Sequence, residues 1–201
     1  MSAELTLDIF TAPRRTSVHW TPGTVTWSEL LAWADNPADR KECGNYLLGR
    51  IRKTPAQHDN HSLEVCNDYH RRKEAIQTRC ALTLDADTAT PELIEGLELL
   101  GWRALVHTTY SSTPDALRLR VILPLDRTVD PEGYRRLATR VMDILGPEQF
   151  DKGSAEPERF MYKPATADPT HYRRWVFDGS PLLVSAVLAG DVAPPARDSH
   201  S

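Results

Sequence analysis

The stretch from residue 80 to residue 163 constrains the fold more than any other part of the chain. Its hydrophobic period switches between two and about 3.6 at clearly punctuated points. Residues 80–86 alternate, with Leu82, Leu84 and Ala86 on one side and Ala81, Thr83 and Asp85 on the other. Thr90-Pro-Glu then opens a helix with a cap residue and a proline in its first turn. Leu93, Leu97 and Leu100 form its stripe and Gly101 ends it. Residues 102–110 and 117–125 read as two strands joined by the turn formers of 111–115. In the second, Leu117, Leu119, Val121, Leu123 and Leu125 alternate against Arg118, Arg120 and Ile122. Asp130-Pro-Glu opens another helix, lined by Tyr134, Leu137, Val141 and Ile144 or Leu145 and closed by Gly146. A loop through Asp151 leads to residues 159–163, a short fourth strand.

The order βαββαβ predicts an α+β domain with a ferredoxin-like, RRM-like core over residues 80–188. Residues 1–79 are expected to form a helical, loop-rich N-terminal elaboration of that domain. Its one clear signal is the capping box Thr26-Trp-Ser-Glu29, which opens a helix carrying Leu30, Leu31 and Trp33. Trp20, Trp27 and Trp33 read as core. Residues 189–201 are polar and proline-rich, a flexible tail or linker toward a further module.

Composition narrows the function classes. Hydrophobic content of 40% and charged content of 26% are ordinary for a globular chain. No apolar run reaches the roughly 20 residues of a membrane span, and the N-terminus lacks a secretory signal. Cys43, Cys66 and Cys80 have no disulfide spacing, so a reducing cytoplasm is expected. The net charge of −4 rules out a simple polycation. Bases nevertheless cluster at residues 50–53, at His70 to Lys73, at Arg118 and Arg120, and at Arg173 and Arg174.

In the usual ferredoxin-like sheet the spatial order is 4-1-3-2. The end of strand 1 then lies beside the starts of strands 3 and 4, so Asp85, Asp87, Arg118, Arg120, Asp151 and Arg159 converge at one sheet edge. Two carboxylates at i and i+2 share a strand face and suit hard divalent cations. A third from a neighbouring strand completes a two-metal arrangement for phosphoryl transfer, and guanidinium groups suit phosphate.

At these residues the sequence resembles the archaeo-eukaryotic primase superfamily, in particular the primase-polymerase domains of phages and plasmids. The resemblance covers roughly residues 26–188 and is carried by Ala81-Leu-Thr-Leu-Asp-Ala-Asp87, Val106-His-Thr-Thr-Tyr-Ser-Ser-Thr-Pro114, Leu117-Arg-Leu-Arg-Val-Ile-Leu-Pro-Leu125, Phe150-Asp-Lys-Gly-Ser154 and Arg159-Phe-Met-Tyr-Lys-Pro164. It implies a nucleotidyltransferase: a DNA-directed primase or polymerase extending a template and primer with dNTPs or NTPs. Mg²⁺ or Mn²⁺ in a two-metal site would be held by Asp85, Asp87 and Asp151, the catalytic acids. Ser111, Arg118, Arg120, Arg159 and Lys163 are then expected at the nucleotide, and Arg71, Arg72 and Lys73 at DNA. A helicase module in the same or a partner chain would accompany it. Many relatives carry a Ser-x-His motif on the strand between the acids; here that strand has Arg118 and Arg120, and the nearby His107 lies on the strand before.

Other readings stay open at this point. Asp85 and Asp87 could simply end a strand at a turn, Arg118 and Arg120 could be a solvated face, and Ser111 and Ser112 could only shape a turn. Glu148, Glu156 and Glu158 stand close to Asp151 as rival third acids. His58, His61, Cys43 and Cys66 could bind zinc, though their spacing matches no standard template. A rolling-circle replication nuclease would need a His-x-His pair, which the chain lacks. A non-catalytic RNA-binding module of the same fold would need exposed aromatics where the central strands carry acids and arginines.

Overall fold

The computed structural model describes residues 4–56 and 66–195. The α+β class holds. Its spine is β6 (Ile76–Ala86), α2 (Pro91–Leu100), β7 (Arg103–Thr108), β8 (Leu119–Val129) and α3 (Pro131–Leu145). β8 runs antiparallel between β6 and β7, the 1-3-2 part of the expected order. The punctuation works largely as read. Asp130 accepts a hydrogen bond from the Gly133 amide at 2.7 Å, and Gly101 ends α2 in the left-handed region. Thr90 sits at the cap position of α2, but its side chain does not cap. Its hydroxyl and amide both donate to Gln149 Oε1 instead, at 3.1 and 2.9 Å.

The N-terminal half is the main correction. Among the described residues its one α-helix is α1 (Trp27–Asp35), opened by the Thr26–Glu29 capping box, with a single 3-10 turn at Lys73–Ala75. Its other main elements are strands: β1 (Thr6–Ala12), β2 (Thr21–Thr26), β3 (Asn45–Ile51) and the hairpin of β4 (Lys53–Ala56) and β5 (Cys66–Tyr69). β1, β2 and β3 extend the core sheet on the β6 side. The place expected for strand 4 is taken by β3, antiparallel to β6.

The expected fourth strand shrinks to β9 (Met161–Tyr162), which pairs with Asn45 and Tyr46 of β3 and not with β6. β10 (Arg174–Asp178) closes the far edge against β7, and α4 (Val184–Ala189) follows. Arg79 explains why β3 and β6 part. It is fully buried, and it donates to the carbonyls of Leu48 on β3 at 2.8 Å and Pro157 at 2.7 Å, and to Thr83 Oγ1 at 3.0 Å. The guanidinium thereby satisfies a β3 carbonyl left without a β6 partner, and the loop carbonyl of Pro157 with it. Gly49, opposite Arg79, has φ +148°, and a Cβ there would run into the Thr78 carbonyl.

Both sheet faces are partly covered. Leu82, Leu84, Val121 and Leu123 pack under α2 and α3 with Leu93, Leu97, Leu137 and Val141. On the opposite face Ala81, Leu105 and Ile122 join Trp27, Leu30 and Tyr46 beneath α1. Further along that second face, Asp85, Arg120 and His107 lie abreast on β6, β8 and β7. The alternation of each strand puts these three on the side that α1 leaves open. Trp20 and Trp27 are core residues, whereas Trp33 is only partly buried, with the Lys163 ammonium 4.2 Å from its ring centroid.

Candidate functional site

The open end of the second face is a cleft of about 510 Å³. Seven cationic side chains line it (Arg15, Lys41, Arg71, Arg118, Arg120, Arg159 and Lys163) against two acids, Asp85 and Asp87. In a chain of net charge −4 this is a concentrated positive field. Tyr110, Phe160 and Tyr162 add aromatic surface.

Every carboxylate expected at the site is engaged by an arginine. Asp85 Oδ1 accepts from Arg120 Nη2 at 2.8 Å and Nε at 2.9 Å, while Asp85 Oδ2 faces Arg159 Nη2 at 3.4 Å. The same Arg159 nitrogen is 2.5 Å from Asp151 Oδ2. Arg118 Nη1 reaches Asp87 Oδ1 at 3.3 Å, both side chains about half exposed. Backbone bonds fix the acids as well. The Asp151 amide donates to the Asp85 carbonyl at 2.9 Å, and the Asp85 amide donates to the buried Ser154 hydroxyl at 2.9 Å.

The electrostatics follow from this packing. Burial works against the charge of Asp85, but Arg120 and then Arg159 outweigh it and hold the carboxyl below its ordinary range. Arg120 is almost fully buried; burial lowers its pKa, yet Asp85 more than restores it. Its remaining nitrogen, Nη1, donates to the Tyr162 carbonyl at 2.7 Å, so each nitrogen of the fork is engaged. His107 is buried, and that burial, with Arg120 beside it, pushes its pKa down to about 4. At neutral pH it is uncharged.

For Mg²⁺ or Mn²⁺, Asp85, Asp87 and Asp151 are the right kind of donor, hard carboxylate oxygens at one end of a strand. Their arrangement is that of an arginine-paired network, and among the described residues no three His, Cys, Asp or Glu side chains gather closely enough to hold a metal. Glu156 is drawn aside to Arg135 at 3.7 Å. His58 and His61 of the zinc reading lie outside the described residues, and Cys43 Sγ points at the Lys163 carbonyl at 3.5 Å.

Of the residues expected at nucleotide, Ser111, Arg118, Arg120, Arg159 and Lys163 all line the cleft. So does Arg71, over the Phe160 ring at 4.5 Å, whereas its neighbours Arg72 and Lys73 are exposed and outside it. Ser112 shapes the turn, its hydroxyl accepting from the Arg118 amide at 3.1 Å. The sequence reading missed Arg15, Lys41, Tyr110, Phe160 and Tyr162. Arg15 comes from the loop between β1 and β2 and Lys41 from that between α1 and β3, in the half whose strand pairing the sequence did not reveal, so no signal placed them. Phe160 and Tyr162 were hidden by the assignment of their segment to an edge strand beside β6, where β3 lies instead.

Fold and cleft together define a class: an α+β domain that gathers cations around an acidic strand end on an open sheet face. The chain belongs to the VapE N-terminal domain family, whose model matches residues 1–191. Among solved structures the chain is similar to the AEP domain of the cyanophage S-2L primase-polymerase (PrimPol), at 13% identity and a TM-score of 0.45, covering 92% of this chain and 88% of that one. So loose a likeness carries no argument about activity. No curated protein matches the chain by sequence.

Proposed function

We propose that the cleft binds a nucleoside triphosphate beside a nucleic-acid strand, and that the domain is a primase-polymerase transferring nucleotides under a template. The observation that carries this reading is the charge of the cleft, seven cations against two acids in an acidic chain. Such a field favours a polyphosphate, and the aromatic rings offer faces for bases.

The cations divide by how they are held. Arg118 keeps a single 3.3 Å contact and stays about half exposed, so it is the arginine of β8's entry that meets phosphate. Arg120 is a positioning residue, because it is nearly buried and each of its nitrogens is already engaged by Asp85 or Tyr162. Lys163, Arg159 and Ser111 would complete the nucleotide side, and Arg71 the strand side. Asp85, Asp87 and Asp151 would hold Mg²⁺ or Mn²⁺, which when bound would neutralise charge on the transferring phosphoryl group. A helicase module in the same or a partner chain and a cytoplasmic setting fit this role. Among the described residues no helix is long and apolar enough to cross a membrane.

One observation favours a second reading. Because each acid is already paired with an arginine, the domain could bind nucleotide or nucleic acid without performing chemistry. Incubation with a primed template, dNTPs or NTPs and Mn²⁺, with products resolved on a gel, separates the two. Extension that disappears in Asp85→Ala and Asp87→Ala supports the polymerase. Binding without extension, unchanged in both variants, supports the second reading.

A further inference from the structure

Arg159 occupies the position where two of the acids meet. One nitrogen, Nη2, sits 2.5 Å from Asp151 Oδ2 and 3.4 Å from Asp85 Oδ2, joining two segments that the chain brings together from far apart. Asp85 already has a full partner in Arg120, so Arg159 is the second cation on that carboxylate. The pair Asp85 and Asp151 is thus balanced by two guanidinium groups, and a divalent cation arriving there would overload the cluster with positive charge unless one of them left.

The two arginines differ in their freedom to leave. Arg120 is held by three bonds in a nearly dry setting, its side chain 8% exposed. Arg159 is about one-third exposed and lines the cleft. Its seat also depends on Gly153, where an added Cβ would run into the Arg159 guanidinium. That glycine has no left-handed backbone to accommodate. Within the turn its missing side chain therefore serves the arginine.

We propose that Arg159 is a displaceable internal counter-ion that couples the two ligands of the cleft. It weakens divalent-cation binding to the nucleotide-free domain, and it is released to the polyphosphate when both ligands enter. This rests on the reading of the cleft as a nucleotide and metal site. Because coupling is reciprocal, whatever frees Arg159 from the acids should help both ligands.

Two variants of the full chain test this, with Mn²⁺ alone as the first probe, followed by electron paramagnetic resonance or calorimetry. Arg159→Ala should tighten Mn²⁺ binding roughly five- to tenfold, the size expected for losing a competing, partly exposed ion pair. Gly153→Ala keeps the charge but crowds the guanidinium out of its seat, and it should tighten Mn²⁺ similarly. The second probe is a fluorescent non-hydrolysable nucleoside triphosphate in metal-free buffer. Gly153→Ala should bind it more tightly than the parent chain, and Arg159→Ala should not. Melting curves show whether Arg159→Ala folds; if it does not, Gly153→Ala decides alone.

Parent-like Mn²⁺ and nucleotide affinities in Gly153→Ala overturn the coupling. When that happens while the parent still binds Mn²⁺ through Asp85 and Asp87, judged by loss in Asp85→Asn and Asp87→Asn, the metal reading stands and only the coupling fails. If neither the parent nor either variant binds Mn²⁺, both fall.

Discussion

Replacing Arg120 by methionine should cost the domain about 3–5 kcal/mol at neutral pH, the range for stranding one member of a buried ion pair. Methionine fills much of the same volume, so little of this is cavity. Asp85 would lose both short bonds to its Oδ1, at 2.8 and 2.9 Å, and keep only Arg159 at 3.4 Å. The Tyr162 carbonyl would lose its 2.7 Å donor as well. Charge-assisted hydrogen bonds are worth about 1.5–3 kcal/mol each. Two of them share one oxygen here, so their values overlap and the total stays inside the range above.

The pH dependence makes the prediction sharper. In the parent chain the folded Asp85 carboxyl lies below its ordinary value, so its stabilising contribution is present at neutral pH and fades as pH falls through the acid range. Without Arg120, burial dominates and lifts the carboxyl above its ordinary value. The variant then gains by binding a proton, and its deficit should shrink as pH falls from neutral toward about 4. Guanidinium unfolding followed by circular dichroism across this range measures both effects. A deficit under about 1 kcal/mol, or one that does not change with pH, would refute the account and mean that solvent reaches Asp85 freely.

Three further outcomes follow from the same packing. Gly49→Ala should cost about 3 kcal/mol or more, because the left-handed φ and the Thr78 carbonyl leave no room for a Cβ; thermal melting measures it. Arg79→Met should cost about 3–5 kcal/mol by orphaning the carbonyls of Leu48 and Pro157, and Arg79→Lys should recover only part, since an ammonium cannot span three acceptors. His107, with its pKa pushed down to about 4, should stay neutral by NMR titration through pH 6, and the parent should lose stability below the ordinary histidine range more steeply than His107→Gln.

The sequence exposed the spine of the fold because α2 and α3 each bury one stripe, and because β6 and β8 set an apolar side under those helices against a side carrying Thr83, Asp85 and Arg120, so residue chemistry alternates although both sides are buried. Leu82 and Leu84 against Thr83 and Asp85 is such a pattern. β3 is illegible for the opposite reason. Asn45, Tyr46, Leu47, Leu48 and Gly49 are all buried, with no alternation of residue chemistry along its first part. Its two-sided burial under α1 and beside Trp20 is tertiary information that no local window holds. The wrong placement of residues 159–163 followed from that, since a sheet with β3 unseen has a vacant edge beside β6. Convergence of Asp85, Asp151 and Arg159 was still read correctly. It depends on the loop after α3 returning to the end of β6, a turn fixed by the Asp151 amide on the Asp85 carbonyl whatever strand comes next.

The remaining question is how a chain of net charge −4 keeps a positive cleft without its cations being neutralised. Carboxylates hold Arg118, Arg120 and Arg159, and each such pair cancels its own field. Among the described residues Arg15, Lys41, Arg71 and Lys163 form no close carboxylate ion pair, although the Glu158 carboxylate lies near enough to Arg71 to act on its charge. Three of them lie over rings instead: Lys41 over Tyr162, Arg71 over Phe160 and Trp20, and Lys163 over Trp33. A ring face attracts a cation through its quadrupole and orients it, yet leaves the full charge in place. Aromatic seating thus preserves the field that carboxylate pairing would remove. Trp20 and Trp33, which the sequence reads as core, therefore also seat cations of the cleft.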